Sequence, residues 1–131
     1  MKRISYFLFS LFGLFCFSSC GPDFDDLQYK DTEEGLYVYQ DEQPFTGQVS
    51  CKNGRIKMEV ENGVSKGVAF FNRRGKLSIV YRGNKTRSYY NEKGEEIDRS
   101  LYHHLYAKDL DEMTNNLYYF NNILKSHSKQ P

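Results

Sequence analysis

Long apolar runs, cysteines and catalytic signatures are all scarce in this 131-residue chain, and each scarcity removes a class of protein. The longest apolar run covers residues 4–17. That is short of the roughly 20 residues a helix needs to cross a bilayer, so a permanent spanning helix is disfavoured. Of the three cysteines, Cys16 and Cys20 lie in or beside that run. Cys51 is left alone in the body of the chain, with no intramolecular disulfide framework available to it. No GxSxG, P-loop, HExxH or dinucleotide signature occurs. Nothing around Cys51 supplies the base and orienting group that acyl transfer needs. The chain is therefore read as a non-enzyme that uses no cofactor. His103 and His104 are adjacent, whereas two ligands on one helix need a spacing of three or four residues, so no metal site is expected.

The start of the chain is more informative. Met1-Lys2-Arg3 carries two positive charges, residues 4–17 are apolar with five phenylalanines, and Ser18, Ser19 and Cys20 follow before Gly21-Pro22. A basic start, a short apolar segment and small residues at its end describe a secretory signal peptide. The stretch Phe17-Ser18-Ser19-Cys20 resembles the lipobox of bacterial lipoproteins, with Phe17 where that family usually has a leucine-like residue. The resemblance implies that residues 1–19 are removed and that Cys20, the new first residue, is lipidated at sulfur and acylated at its amino group. Several acyl chains hold a protein on a bilayer durably where one does not. It also implies a membrane partner and a bacterial envelope address. The outer membrane is favoured over the inner, because Gly21 rather than an aspartate follows Cys20.

Net charge is +1 for the whole chain but unevenly spread. Residues 21–46 hold eight acids against Lys30, whereas residues 47–94 hold eleven lysines and arginines against three acids. Residues 20–34 accordingly read as an acidic tether in front of a basic body.

Within that body glycines recur with a period of about 20: Gly47 with Gly67, Gly54 with Gly75 and Gly94, Gly63 with Gly83. Such a period signals stacked supersecondary units, none of which buries its face alone. Ile56, Met58 and Val60 alternate with charged residues, as do Leu77, Ile79 and Tyr81, which is the pattern of antiparallel strands covered on one side. Asn53-Gly54 and Asn62-Gly63 are hairpin turns, since both residues accept positive φ cheaply. The expected strands are 35–39, 47–52, 55–61, 67–72, 76–82, 86–91 and 95–97. The unit "PFTGQVSCKNGRIKMEVENGVSKG" resembles the MORN-repeat-variant family of bacteria over residues 35–98, although Arg87 stands where the first two units have glycine. The resemblance implies a meandering hairpin sheet that binds or scaffolds without catalysis. Some members of that family are described as antitoxins, which makes an immunity-type protein neutralising a toxin the alternative reading.

After Asp98 the apolar period lengthens. Leu101 and Leu105, then Leu110, Met113, Leu117, Phe120 and Leu124, mark the core faces of two helices, about 99–107 and 110–125. Residues 109–112, Asp-Leu-Asp-Glu, read as an N-cap with an acid three residues on. The fold class expected is α+β, an antiparallel MORN-like hairpin meander capped by C-terminal helices within residues 99–131. Arg55, Lys57, Lys76 and Arg82 fall opposite the apolar positions and form a basic outer face. It is read either as a solvated surface or as a platform for an acidic protein or anionic lipid. The acidic tether is an internal alternative occupant of that face. Nucleic acid is disfavoured by the envelope address.

Overall fold

The computed structural model describes residues 22–84 and 86–128. The signal segment and Cys20 lie outside the described residues. Nine strands form one antiparallel sheet: β1 (Gln28–Thr32), β2 (Gly35–Gln40), β3 (Gln43–Pro44), β4 (Gly47–Cys51), β5 (Ile56–Glu61), β6 (Val64–Phe71), β7 (Leu77–Gly83), β8 (Thr86–Tyr90) and β9 (Glu96–Ile97). Consecutive strands pair as hairpins everywhere except between β3 and β4, and Tyr37 opposite Val64 joins β2 to β6. Two α-helices follow, α1 (Arg99–Leu105) and α2 (Leu110–Ser126). The molecule is thus an α+β protein, an open meander of hairpins with C-terminal helices.

The turns follow local chemistry. Asn62 and Gly63 take φ of 50° and 83° and pair Glu61 directly with Val64, a two-residue turn whose twist matches the flanking strands. Asp41 and Glu42 do the same between β2 and β3 with φ of 51° and 67°. No glycine marks that turn, which leaves the short strand β3 without a local sequence signal.

One face of the sheet is covered by α2. Met58, Val68 and Tyr81 stand in one cross-strand row, and Ile56, Phe70, Ile79 and Tyr89 in the next. All are buried in the main core. Phe120 of α2 meets Phe24, Phe70 and Tyr81 edge-on at ring centroids 6.0, 6.0 and 5.4 Å apart, a geometry aromatic quadrupoles favour. The deepest line of α2 is Met113, Asn116, Phe120 and Ile123, while Leu117 and Leu124 are half-buried beside it.

Three expectations are corrected. First, residues 24–34 are not a tether. Phe24, Leu27 and Tyr29 are almost wholly buried, and β1 pairs along its length with β2. The acids of this stretch point outward while its alternate apolar residues feed the core. Tyr29 also takes the carbonyl of His127 at 2.9 Å, and Ser128 bridges to it in parallel, which covers the first edge of the sheet. Second, Leu101 and Leu105 are exposed at 42 % and 51 %, and Tyr102 is the buried residue of α1. The ring of Tyr102 packs between Tyr89 and Tyr106, each 5.2 Å away, and a two-turn helix presents only one such side. Third, Asp109 does not cap α2. Its buried carboxylate instead accepts from Arg74 Nη2 at 2.9 Å, and Arg74 Nε donates to Glu92 at 2.7 Å. That fork ties the start of α2 to the β6–β7 turn and raises the Arg74 pKa, Glu92 contributing most.

The β1–β2 hairpin is locked to the β7–β8 turn by a close approach. A Cβ on Gly83, whose φ is +123°, would lie 2.9 Å from the backbone of Gly35. Beside it, Asp31 accepts from the Tyr81 hydroxyl at 2.5 Å and from the Asn84 amide at 2.6 Å.

Two substitutions test this packing. Phe120→Ala should cost about 3–5 kcal/mol in urea denaturation, and Leu117→Ala less than about 3 kcal/mol, because only the former empties the core. Gly83→Ala should cost more than about 1 kcal/mol; an unchanged midpoint would contradict the Gly35–Gly83 approach.

Candidate functional site

Among the described residues, the sheet face away from α2 is made by strand side chains. A small apolar cluster of Ala69, Leu77, Val80 and Tyr90, with Phe71 at its margin, lies there. Leu77 belongs to this face because the β6–β7 register shifts between Phe70 and Phe71, which pairs Phe71 with Leu77 and Phe70 with Ile79. Alternation along residues 76–82 placed Leu77 with the main core; the bulge turns it to the other side.

The four basic residues expected on this face divide. Lys57 and Arg82 are on it. Lys57 pairs across to Ala69, and its ammonium lies 5.3 Å from the centre of the Phe71 ring. Arg82 donates from Nε to Ser88 Oγ at 3.0 Å and from Nη2 to the Tyr90 hydroxyl at 2.8 Å. Long cationic side chains of this kind cover apolar surface with their alkyl stems while keeping their charge hydrated, and both stand beside the cluster. Lys76 is exposed in the β6–β7 turn. Arg55 is elsewhere: it forms an ion pair with Glu112 of α2 and so works on the helix side. Glu59, two residues from Lys57 on the same strand, shares the open face. That face is therefore a mixed surface with two cations set over an apolar patch, less basic than the sequence spacing implied.

Other chemical candidates are also placed. Cys51 is half-buried at the end of β4. Burial pushes its thiol up to about 11, against a smaller opposing effect of the Tyr119 hydroxyl. Catalytic thiols have their pKa lowered instead. His103 stands edge-on to Tyr89 and Tyr102, while His104 is exposed on the next position of α1. The Asp23, Asp25 and Asp26 carboxylates gather within 4.8 Å. Their proximity follows from local capping, since the Asp23 amide donates to Asp26 Oδ2 at 2.9 Å across the single turn Phe24–Asp26.

Sequence reasoning did not single out a cleft of about 270 Å³ between β7–β8 and the two helices, which carries Arg87, Arg99 and His103 together. The one signal for it was Arg87 in a position that is glycine in the two preceding repeats.

No family model, curated protein or solved structure matches the chain.

The thiol makes a pH-dependent prediction. The folded state holds the Cys51 proton more tightly than the unfolded chain does. That contribution is intact below pH 9.0, the ordinary value, and is lost as pH rises through about 11. Cys51→Ala should flatten the fall in Tm between those limits. The residual fall should begin above about pH 10, where tyrosines of the unfolded chain start to ionise while Tyr29 and Tyr102, both pushed up by burial, keep their protons in the folded state.

Proposed function

We propose that the chain is a lipid-anchored lipoprotein of the bacterial envelope that acts as a non-catalytic binding module, presenting the open face of its sheet to an acidic protein. One observation carries the choice of partner. The fold begins at Phe24, whose ring packs against Phe120 on the helix side of the sheet, while Lys57 and Arg82 lie on the opposite side. Cys20 precedes Phe24 by four residues, which reach at most about 14 Å. A body held that closely by its helix side offers its open face away from the anchor. That arrangement favours a protein partner over the anionic lipid of the membrane that holds it.

The open face has the composition of a contact surface. Aromatic residues and arginine are enriched at protein interfaces, and Tyr90, Phe71 and Arg82 adjoin there around the apolar cluster. The hairpin meander is also the kind of scaffold that the MORN-variant resemblance implies. Non-catalytic action fits the raised Cys51 pKa and a sequence that has no GxSxG, P-loop, HExxH or dinucleotide signature.

Two measurements test the reading. Labelled palmitate should enter the wild type and not Cys20→Ala; an unlabelled full-length chain would refute the anchor. In cross-linking on intact cells, charge reversal by Lys57→Glu with Arg82→Glu should abolish a specific adduct that wild type and Lys108→Glu both form. An adduct that survives the double reversal would remove the open face from the site. Cross-links to anionic lipid alone would replace the protein partner with the membrane.

A further inference from the structure

We propose that the cleft between β7–β8 and the two helices binds a small anionic ligand with a compact apolar or aromatic body. It is a second site, on the covered side of the sheet, and does not depend on the open face.

Arg87 carries the inference. By register it stands in the row Met58, Val68, Tyr81, Arg87, which otherwise turns apolar side chains under α2. Placing a guanidinium in such a row is unfavourable unless it is paired. Among the described residues Arg87 has no ion-pair partner, and its Nε is buried without a hydrogen-bond acceptor. Arg always carries its charge and offers five donors in a fixed fork, so the unmet need is for an anion with two or more oxygens. A leucine would fill the position at lower cost, and residues that a fold would be more stable without are commonly kept for binding.

The surroundings supply the remaining recognition. Arg99 and His103, one turn apart on α1, line the same cleft, and no aspartate or glutamate does. Ile79, Met113 and Leu117 are among its apolar lining residues. The Tyr89 and Tyr102 rings stand together at 5.2 Å, and Tyr118, 67 % exposed, stands at the rim. A volume of about 270 Å³ lies just under the usual range for small-molecule sites, roughly 300–1,000 Å³, which suits a single ring or short branched body and not a polymer. Cationic groups beside aromatic and apolar walls select a carboxylate or phosphate monoester on an apolar frame, two oxyanions that Arg87 reads alike.

The test uses the full chain in non-ionic detergent, titrated with benzoate and phenyl phosphate as probes and benzyl alcohol as the neutral counterpart, followed by tyrosine fluorescence and Tm. Benzoate or phenyl phosphate should bind and raise Tm, benzyl alcohol and acetate should bind at least tenfold more weakly, and Lys30→Gln at an exposed position of β1 should leave anion binding unchanged. Arg87→Met should weaken anion binding at least tenfold while its ligand-free Tm holds or rises. That combination separates a ligand-binding arginine from a structural one. Absence of anion binding at millimolar concentrations, equal binding of benzyl alcohol and benzoate, or undiminished binding by Arg87→Met would each overturn the site. A preference between benzoate and phenyl phosphate tells carboxylate from phosphate within the proposal. Loss of the open-face adduct described above leaves this titration unaffected, so the two sites fail separately.

Discussion

Phe120 touches three stretches of chain that no local rule brings together: Phe24 before the first strand, Phe70 in the middle of the sheet and Tyr81 in β7. A meander of two-sided hairpins cannot bury an apolar face by itself, so the sheet depends on a second wall. The aromatic side of α2 supplies it. The remaining contacts of α2 serve the same alignment. The Arg74 fork to Asp109 and Glu92 holds the start of the helix, the pair of Arg55 with Glu112 holds its first turn, and residues 127 and 128 close onto Tyr29 just past its end.

With one face committed to the helix, the other shields a smaller apolar cluster of its own. It does so by using long cationic side chains as a partial roof. Lys57 over Phe71 and Arg82 on Tyr90 shield a cluster that would otherwise be an exposed apolar patch. The same two residues are the charges that the proposed function assigns to a partner, so on that proposal shielding and recognition are coupled on this face. The covered face carries the converse arrangement. Arg87 occupies an apolar row and gains nothing from it locally, and the cleft beside it is lined by Arg99, His103 and aromatic rings.

Period-two alternation, Asn-Gly turns and glycine spacing made most strands readable: those expected at 47–52, 55–61 and 76–82 are observed as β4, β5 and β7 within one residue at each end. Both helices were readable from their apolar steps. The misread positions share a cause. Residues 24–34 looked like a tether because eight acids dominate the composition of residues 21–46, yet only alternate positions need be apolar for a strand to join a core. Leu101 and Leu105 looked buried because spacing identifies a helical face without saying which face meets the sheet, and Tyr102 won that contact. Leu77 changed sides through a bulge, and a one-residue irregularity inverts a face assignment without leaving a mark on composition.

Local chemistry was therefore enough to set the hairpins, their turns and the helical tail, because these depend on neighbours two to four residues apart. It also set the candidate anchor at Cys20, which rests on sequence alone. Which cations share a surface was decided by folding. Arg55 went to α2, Lys57 and Arg82 to the open face, and Arg87 with Arg99 to the cleft. Those destinations depend on strand register, one bulge and the angle at which a helix lies on the sheet, all of them long-range quantities that no window of sequence contains.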